Sequence, residues 1–234
     1  MIQMKYFLKV IALISIGLFV QATSPDCKET VRSYIRGLAS IKESSSKAYC
    51  MHYETLNYGK DNAEVKAFVK MILKGNSLVY ESDYISIYQD DKEVYTLVHP
   101  QKVIVKSKPN SAKIKEMRMK KGGVLQDSVF KVSTLKSCTD GFLNSSPVRI
   151  TELALTEQGS KTFKVTKIVY YFNEKENRLD KQELYYIPGA KIVKQEILFK
   201  EMSFDYKGKI KSHARDYLYN GSKLDSRYKD YKFQ

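Results

Sequence analysis

Residues 68–80 read FVKMILKGNSLVY, and this stretch decides the fold class. Before its turn, Val69, Met71 and Leu73 lie at every second position, which is the period of a β-strand with one apolar face. The Gly-Asn-Ser sequence at 75–77 is typical of a turn, and the apolar residues after it begin a second strand. The stretch therefore predicts two neighbouring strands of an antiparallel sheet.

The same pattern continues beyond this hairpin. Short apolar runs separated by polar turns follow it, are interrupted at 110–143, and then return. Strands at such regular spacing are typical of an antiparallel meander. Besides the hairpin, the predicted strands are 84–88, 94–98, 103–105, 148–155, 161–172, 178–187, 191–206 and 210–219, with 228–233 as a further edge strand.

Two segments have a helical period instead. Residues 25–43 follow a Ser-Pro start signal and repeat apolar residues every three to four positions, which predicts an amphipathic helix. The interruption at 110–143 predicts a helix over 111–121 and a second helical period over 124–135. A sheet of about ten strands tends to curl, and helices can cover one face of it. We therefore expect an α+β fold, mostly antiparallel β, in one domain at 23–234.

The first 22 residues predict a secretory signal peptide. Lys5 and Lys9 form a basic start, an apolar run follows at 10–20, and the small-residue pattern Val-Gln-Ala ends at Ala22. The run is well short of the ~20 residues that span a bilayer, although a retained N-terminal anchor is the alternative. We expect cleavage after Ala22 and a periplasmic location for the mature chain.

The composition is strongly basic and rich in tyrosine. Among 234 residues, 40 Lys and Arg face 26 Asp and Glu, and the formal net charge is +14. For an exported chain, nucleic acid is a poor partner, so the charge indicates either an anionic membrane surface or a generally solvated basic surface. The 18 tyrosines suit a cavity for amphiphiles, but they suit ordinary sheet faces equally well.

Residues that carry chemistry in enzymes form no recognisable pattern. Cys27, Cys50 and Cys138 permit one disulfide without indicating which pair, and small buried hydrophobes are the alternative. The three histidines are far apart, and no C-x-x-C, H-x-x-x-H, nucleophile-elbow or phosphate-loop motif occurs. Asp90-Asp91 is interpreted as a solvated hairpin tip rather than a cation site. We predict a monomer with no catalytic residue, no metal and no cofactor.

In layout, the chain resembles the bacterial outer-membrane lipoprotein carriers, the LolA/LolB-like family. The resemblance rests on the helix at 25–43, the hairpin at 68–80 and the runs at 84–90 and 94–97, and it covers most of the mature chain. It implies an open half-barrel of antiparallel strands, closed by helices that act as a lid over an apolar cavity.

The resemblance implies a carrier that takes lipoprotein acyl chains or lipid from membrane-associated donor proteins to acceptors, toward the outer membrane. A lipoprotein with three acyl chains exposes about fifteen methylenes per chain. At ~0.8 kcal/mol per methylene, the free-energy cost of exposing all three chains to water is on the order of 36 kcal/mol, which prevents free diffusion. The alternatives are a non-transporting module that senses lipid or lipoprotein, and a secreted hydrolase. The predicted lining of the cavity is Val69, Met71, Leu73, Ile85, Ile87, Tyr95, Leu97, Val169 and Tyr171 from strands and Ile114, Met117, Val129 and Val132 from the lid. For each of these residues, ordinary core packing is the alternative.

Overall fold

The structure is a computed structural model, and it describes residues 26–39, 47–61, 64–109, 127–203 and 205–234. The predicted signal peptide and the predicted helix at 111–121 lie outside these residues. No described helix is long and apolar enough to cross a membrane. The helices are α1 (Cys27–Ala39), α2 (Asp127–Lys131) and α3 (Glu157–Phe163), and the strands are β1 (Tyr49–Gly59), β2 (Glu64–Lys74), β3 (Ser77–Ser82), β4 (Ile85–Gln89), β5 (Val94–Val98), β6 (Val103–Ser107), β7 (Ser133–Leu143), β8 (Ser146–Leu155), β9 (Val165–Asn173), β10 (Arg178–Tyr186), β11 (Ile192–Ser203), β12 (Tyr219–Asn220), β13 (Lys223–Leu224) and β14 (Lys232–Phe233).

Twelve of the strands form one curled sheet, which confirms the prediction of a mostly antiparallel β fold. Their order is β14-β6-β5-β4-β3-β2-β1-β11-β10-β9-β8-β7, so two meanders lie side by side and join where β1 pairs with β11. Every pair in this sheet is antiparallel except β14 with β6, which is parallel. The tail predicted to add an edge strand does so through β14.

The prediction for 124–135 is wrong in its second half. Of its described residues, those from 127 onward, only α2 is helical, and β7 begins at Ser133. The apolar residues Val129, Val132 and Leu135 have helical spacing, which hid the strand. As an edge strand with mostly exposed side chains, β7 also lacks the apolar alternation that marks the interior strands.

Two further assignments differ from the structure near turns. Residues 158–160, which separate the strands predicted at 148–155 and 161–172 and were expected to form a turn, lie inside α3. The first turn of α3 is capped because the Thr156 hydroxyl accepts from the Gly159 N–H. The strand predicted for 210–219 is replaced by a 3-10 turn at Ala214–Tyr217. Residues 205–231 belong to an irregular segment that is held by contacts with the sheet, and these contacts have no local sequence period.

The prediction of an amphipathic N-terminal helix is confirmed for α1. Val31, Tyr34 and Ile35 are buried against the sheet, and Glu29 pairs with arginines on the outer side of the helix. A disulfide joins Cys27 to Cys138 on β7, so the cysteine pair that the sequence left open is decided by the fold. Cys50 is free and buried.

The sheet has two covered faces, each with its own apolar cluster. The helix face carries α1 and α2, and its cluster includes Ile35, Phe130 and Leu153. The opposite face carries the C-terminal segment, residues 205–234, and its cluster includes Leu97 and Leu218. The two layers are offset, because the helices lie mainly against β7–β9 while the C-terminal segment lies against β1–β6.

Asp90 attaches the C-terminal segment to the sheet. Its carboxylate accepts hydrogen bonds from the backbone N–H groups of Ala214 (2.7 Å), Lys92 (2.7 Å) and Glu93 (2.9 Å). Although burial opposes it, these bonds hold the pKa of Asp90 below its usual value. The interpretation of Asp90 as a solvated turn residue is therefore wrong, since only 8% of it is exposed, while its neighbour Asp91 is exposed.

Tyrosines and one histidine complete this attachment. The Tyr88 hydroxyl donates to Glu81 (2.9 Å), and the Tyr88 ring stacks on Tyr217 at 4.7 Å. The His99 imidazole, placed by the sequence in a turn, lies between the Ser86 hydroxyl (2.9 Å) and the Tyr231 hydroxyl (2.8 Å).

We expect the stability of the protein to fall as the pH drops below 6.5 because of His99. Burial lowers the pKa of His99 from its ordinary value of 6.5, so the unfolded chain takes up this proton more readily than the folded one. The contribution of the neutral His99 side chain to the free energy of unfolding is therefore fully present above pH 6.5 and declines below it. Urea unfolding at several pH values above about 5, where most carboxylates stay charged, measures this slope. His99→Gln should flatten it, and an unchanged slope would contradict the assignment.

Candidate functional site

The candidate site is the part of the helix face formed by β1–β6 together with β11. The strand register aligns its side chains in rows across the sheet. One row runs from Met202 on β11 through Met51, Met71 and Tyr80 to Ile87 on β4. The adjacent row contains Phe199, Tyr53 and Val69, and on the next strands Ile85, Val98 and Val103.

Burial along these rows decreases away from the helices. Met51, Phe199 and Met202 are less than a tenth exposed. In contrast, the members farther from the helices are only half-buried, although most are apolar and sit in the middle of strands. We call these half-buried members the apolar rows: Tyr53, Val69, Met71, Tyr80, Ile85, Ile87, Val98, Val103, Val105 and Ile197.

Five of the residues predicted to line a cavity share this face. Val69, Met71, Leu73, Ile85 and Ile87 all point to the side of the sheet that carries the helices, as their register partners require. Leu73 is buried in the cluster, while the other four belong to the apolar rows. Their role in lipid binding stays a prediction, but their common placement is what such a role requires.

Four predicted lining residues lie on the opposite face. Tyr95 and Leu97 are buried under the C-terminal segment, because β4 pairs Ile87 with Thr96 and so turns the odd-numbered residues of β5 away from the helices. Val169 and Tyr171 also point away, since the register pairs them with Glu183 and Lys181. These strands carry apolar side chains on both sides, so alternation alone does not show which set faces the helices.

The lid residues are divided between described and undescribed segments. Val129 on α2 is fully buried in the helix-face cluster. Val132 follows α2 and packs on Gly159, where an added Cβ would lie 2.8 Å from the Val132 side chain and carbonyl oxygen. Ile114 and Met117 lie outside the described residues.

Six members of the apolar rows were missed: Tyr53, Tyr80, Val98, Val103, Val105 and Ile197. A signal for Tyr80 was present, because a hairpin that turns at 75–77 places Tyr80 opposite Met71. For Ile197 no local signal exists, since its place on the face depends on the pairing of β11 with β1, which are far apart in the chain.

The apolar rows carry no charge and few polar atoms. Burial raises the pKa of Tyr53 to about 12, so its hydroxyl stays neutral under ordinary conditions. At the border with α1, the Tyr34 hydroxyl donates to the Met202 sulfur at 2.9 Å, and the Tyr34 ring meets Phe172 edge-on at 5.3 Å. A surface of this kind favours hydrocarbon over charged or strongly hydrated ligands.

Two fully buried polar side chains lie on the helix face beside the apolar rows. Gln182 on β10 and Thr151 on β8 are both fully buried. Among the described residues, no group forms a hydrogen bond with either amide atom of Gln182 or with the Thr151 hydroxyl. Tyr170 lies between them on β9, stacked on Phe130 at 5.9 Å, and its hydroxyl interacts electrostatically with Gln182 without reaching hydrogen-bond geometry.

The charges behind this part of the sheet lie on the opposite face. Lys181 and Lys194 each contact both Glu183 and Glu196, at 2.7–3.3 Å. Although burial opposes it, hydrogen bonds from Lys181 and Tyr185 lower the pKa of Glu183, so the network is charged and balanced at neutral pH. The sheet therefore separates a charged surface from an apolar one.

A polar cleft of about 520 Å³ lies at the junction of the C-terminal segment with the β4–β5 turn, and its walls include Asp90, His213 and Asp216. Both Asp90 oxygens are already bonded to backbone N–H groups, and Asp216 caps the turn that begins at His213. Within the described part of the chain, no group of histidine, cysteine or acidic side chains is placed to hold a metal ion.

Comparison with known proteins gives matches among solved structures. No protein-family model and no curated protein matches the sequence. The lipoprotein LppX of Mycobacterium tuberculosis matches with 10% identity and a TM-score of 0.45, over 78% of this chain and 99% of LppX. A putative outer membrane lipoprotein-sorting protein domain from Vibrio parahaemolyticus has 11% identity and a TM-score of 0.32, over 78% and 95%. A LolA superfamily protein from Nitrosomonas europaea has 10% identity and a TM-score of 0.27, over 74% and 93%.

Among these matches is a member of the family that the sequence resembles in layout. At 10–11% identity and TM-scores below 0.5, they describe a likeness of fold and carry no information on what this chain binds. The functional proposal therefore rests on the apolar rows of this protein.

Proposed function

We propose that this protein binds the acyl chains of a lipid or lipoprotein on the apolar rows of its helix face. The observation that carries the proposal is the continuous set of uncharged, half-buried side chains in the middle of otherwise regular strands. Among the described residues, the C-terminal segment covers the opposite face of the same strands, whereas the apolar rows on the helix face keep exposed area. A ligand can cover this exposed apolar area without displacing side chains that pack on it within the protein.

The proposal includes transport. An exported protein, cleaved after Ala22, would hold acyl chains in the periplasm between membrane-associated donor and acceptor proteins. The lid that the sequence predicts, with Ile114, Met117, Val129 and Val132, would close over the ligand. Most of the binding at such a site comes from dispersion and the hydrophobic effect, which fix no single ligand geometry and so are compatible with release. The net charge of +14 would support contact with anionic membrane surfaces.

We expect Ile197→Gln to weaken acyl-chain binding about 10-fold or more. The change removes half-buried apolar contact and adds an amide that a bound chain would have to desolvate, together worth about 2 kcal/mol. Leu198→Gln is the matched control, because Leu198 is the next residue on β11, is similarly half-buried, and points to the opposite face. The dissociation constant of a fluorescent fatty acid, measured by titration, gives both values.

Equal effects of the two variants would contradict the assignment of the ligand to the helix face. Transport is tested separately, by following a radiolabelled lipoprotein from donor to acceptor membranes. Transfer by the purified protein supports the carrier. Stable binding without transfer would favour the alternative, a non-transporting module that senses lipid or lipoprotein.

A further inference from the structure

We propose that Gln182 and Thr151 form a polar end of the lipid site, which binds the uncharged hydrogen-bonding group of an amphiphile, such as an ester, amide or hydroxyl. The inference rests on the proposed function, since it concerns the head of the ligand whose chain lies on the apolar rows.

The first argument is the missing hydrogen bonds. Both side chains have no exposed area, and the amide nitrogen and oxygen of Gln182 and the hydroxyl of Thr151 have no hydrogen-bond partner among the described residues. A buried amide without partners is unfavourable, and native proteins seldom keep one without a function or a bound molecule. A ligand that supplies one acceptor and one donor would remove this penalty.

The second argument is position. The register places Gln182 opposite Ile197 on β11, and Ile197 opposite Thr55 on β1. Burial changes along this line from complete at Gln182 to partial at Ile197, so Gln182 stands where the helix-covered region meets the apolar rows. A chain lying over Ile197 and Tyr53 would bring its polar end to the Gln182 amide.

The third argument is charge. The side chains aligned with Gln182 across the helix face are those of Thr151, Tyr170, Ile197 and Thr55, and all are uncharged. Burial raises the pKa of Tyr170, which keeps its hydroxyl neutral. Arg149, which shares this face on β8, is already paired with Asp140 and Glu174, so a carboxylate or phosphate at Gln182 would be buried without a free counter-ion, which is strongly unfavourable. The head-group is therefore neutral, and Gln182 offers it both a donor and an acceptor.

Gln195 provides a matched control on the same face. Its amide donates to the Asn57 side chain at 2.6 Å, so its hydrogen-bonding capacity is used within the protein. Gln195 lies on β11 opposite Leu184, the next inward-facing residue of β10 after Gln182. Replacing each glutamine by leucine removes the same amide, once where it has no protein partner and once where it has one.

The experiment compares two probes with the same fluorescent group and chain, the methyl ester of 1-pyrenedecanoic acid and 1-decylpyrene. We expect Gln182→Leu to weaken binding of the ester about 10-fold while leaving decylpyrene unchanged, since only the ester has a group for the amide. Thr151→Val should act in the same direction with a smaller loss. Gln195→Leu should leave the ratio of the two affinities unchanged. Without ligand, Gln182→Leu should raise the melting temperature and Gln195→Leu should lower it.

Equal losses for both probes, or no loss for either, would overturn the proposal and indicate that Gln182 only packs or holds buried water. A lower melting temperature for Gln182→Leu without ligand would also overturn it, by revealing a partner within the protein. If the unaltered protein binds decylpyrene and the ester with equal affinity, the proposed polar end is contradicted, while the proposed acyl-chain site is not. If it binds neither probe, the proposed function fails as well.

Discussion

Reduction of the disulfide between Cys27 and Cys138 is expected to lower the free energy of unfolding by about 4 kcal/mol. The bond connects residues 111 positions apart, and a link over such a separation strongly restricts the unfolded chain. It also ties α1 to the edge strand β7, so its loss should loosen the helix layer. Urea unfolding with and without reductant measures the effect.

Variants separate the disulfide from other effects of reductant. Replacing both Cys27 and Cys138 by alanine should reproduce the loss and abolish the response to reductant. Cys50→Ala should keep the response, because Cys50 is a buried free thiol on the opposite face. Burial raises the pKa of Cys50 to about 12, so alkylation of the native oxidised protein should be slow and should reach one thiol per chain only after unfolding. Identical unfolding midpoints with and without reductant would contradict the pairing.

Asp90→Ala is expected to lower the free energy of unfolding by about 3–4 kcal/mol. The carboxylate accepts three backbone hydrogen bonds, and its removal leaves the buried Ala214 N–H without a partner while loosening the Lys92–Glu93 turn. Asp90→Asn should cost about half as much, because one side-chain oxygen can still accept from the turn. Urea unfolding gives both values.

The neighbouring residue is the control for this prediction. Asp91 is exposed and accepts one hydrogen bond, from the Asn76 side chain at 2.9 Å, so Asp91→Ala should change stability by less than about 1 kcal/mol. Limited proteolysis gives an independent measurement, because Asp90→Ala should release the lysine-rich stretch at 207–211 for cleavage, and Asp91→Ala should not. Equal effects of the two alanine variants would show that Asp90 does not attach the C-terminal segment.

Prediction from sequence succeeded where a pattern is local. The hairpin around 75–77 and the amphipathic helix α1 are set by turn residues, capping and period, all of which act over a few residues. It failed at β7 and at Ala214–Tyr217. As an edge strand, β7 has mostly exposed side chains, so it lacks the apolar alternation of a strand with one buried face. The C-terminal segment is shaped by Asp90 and Tyr88, which lie more than 100 positions away.

The candidate site was found in part for the same reason. Val69, Met71 and Leu73 alternate with Phe68, Lys70, Ile72 and Lys74, and the lysines among these made the period of two in β2 visible. In β5 both faces carry apolar residues, since one packs under the C-terminal segment and the other belongs to the apolar rows, and Tyr95 and Leu97 were assigned to the wrong one. Gln182 gave no signal, since an isolated glutamine in a strand is ordinary until its neighbours are known.

By itself, the sequence determined the two meanders, the N-terminal helix and the existence of an apolar strand face, because spacing and turn chemistry act between residues close in the chain. Only the tertiary structure decided that β1 pairs with β11, that Cys27 pairs with Cys138, and which side of each strand faces the helices. These features depend on contacts between residues far apart in the chain, and such contacts form only when the whole sheet assembles.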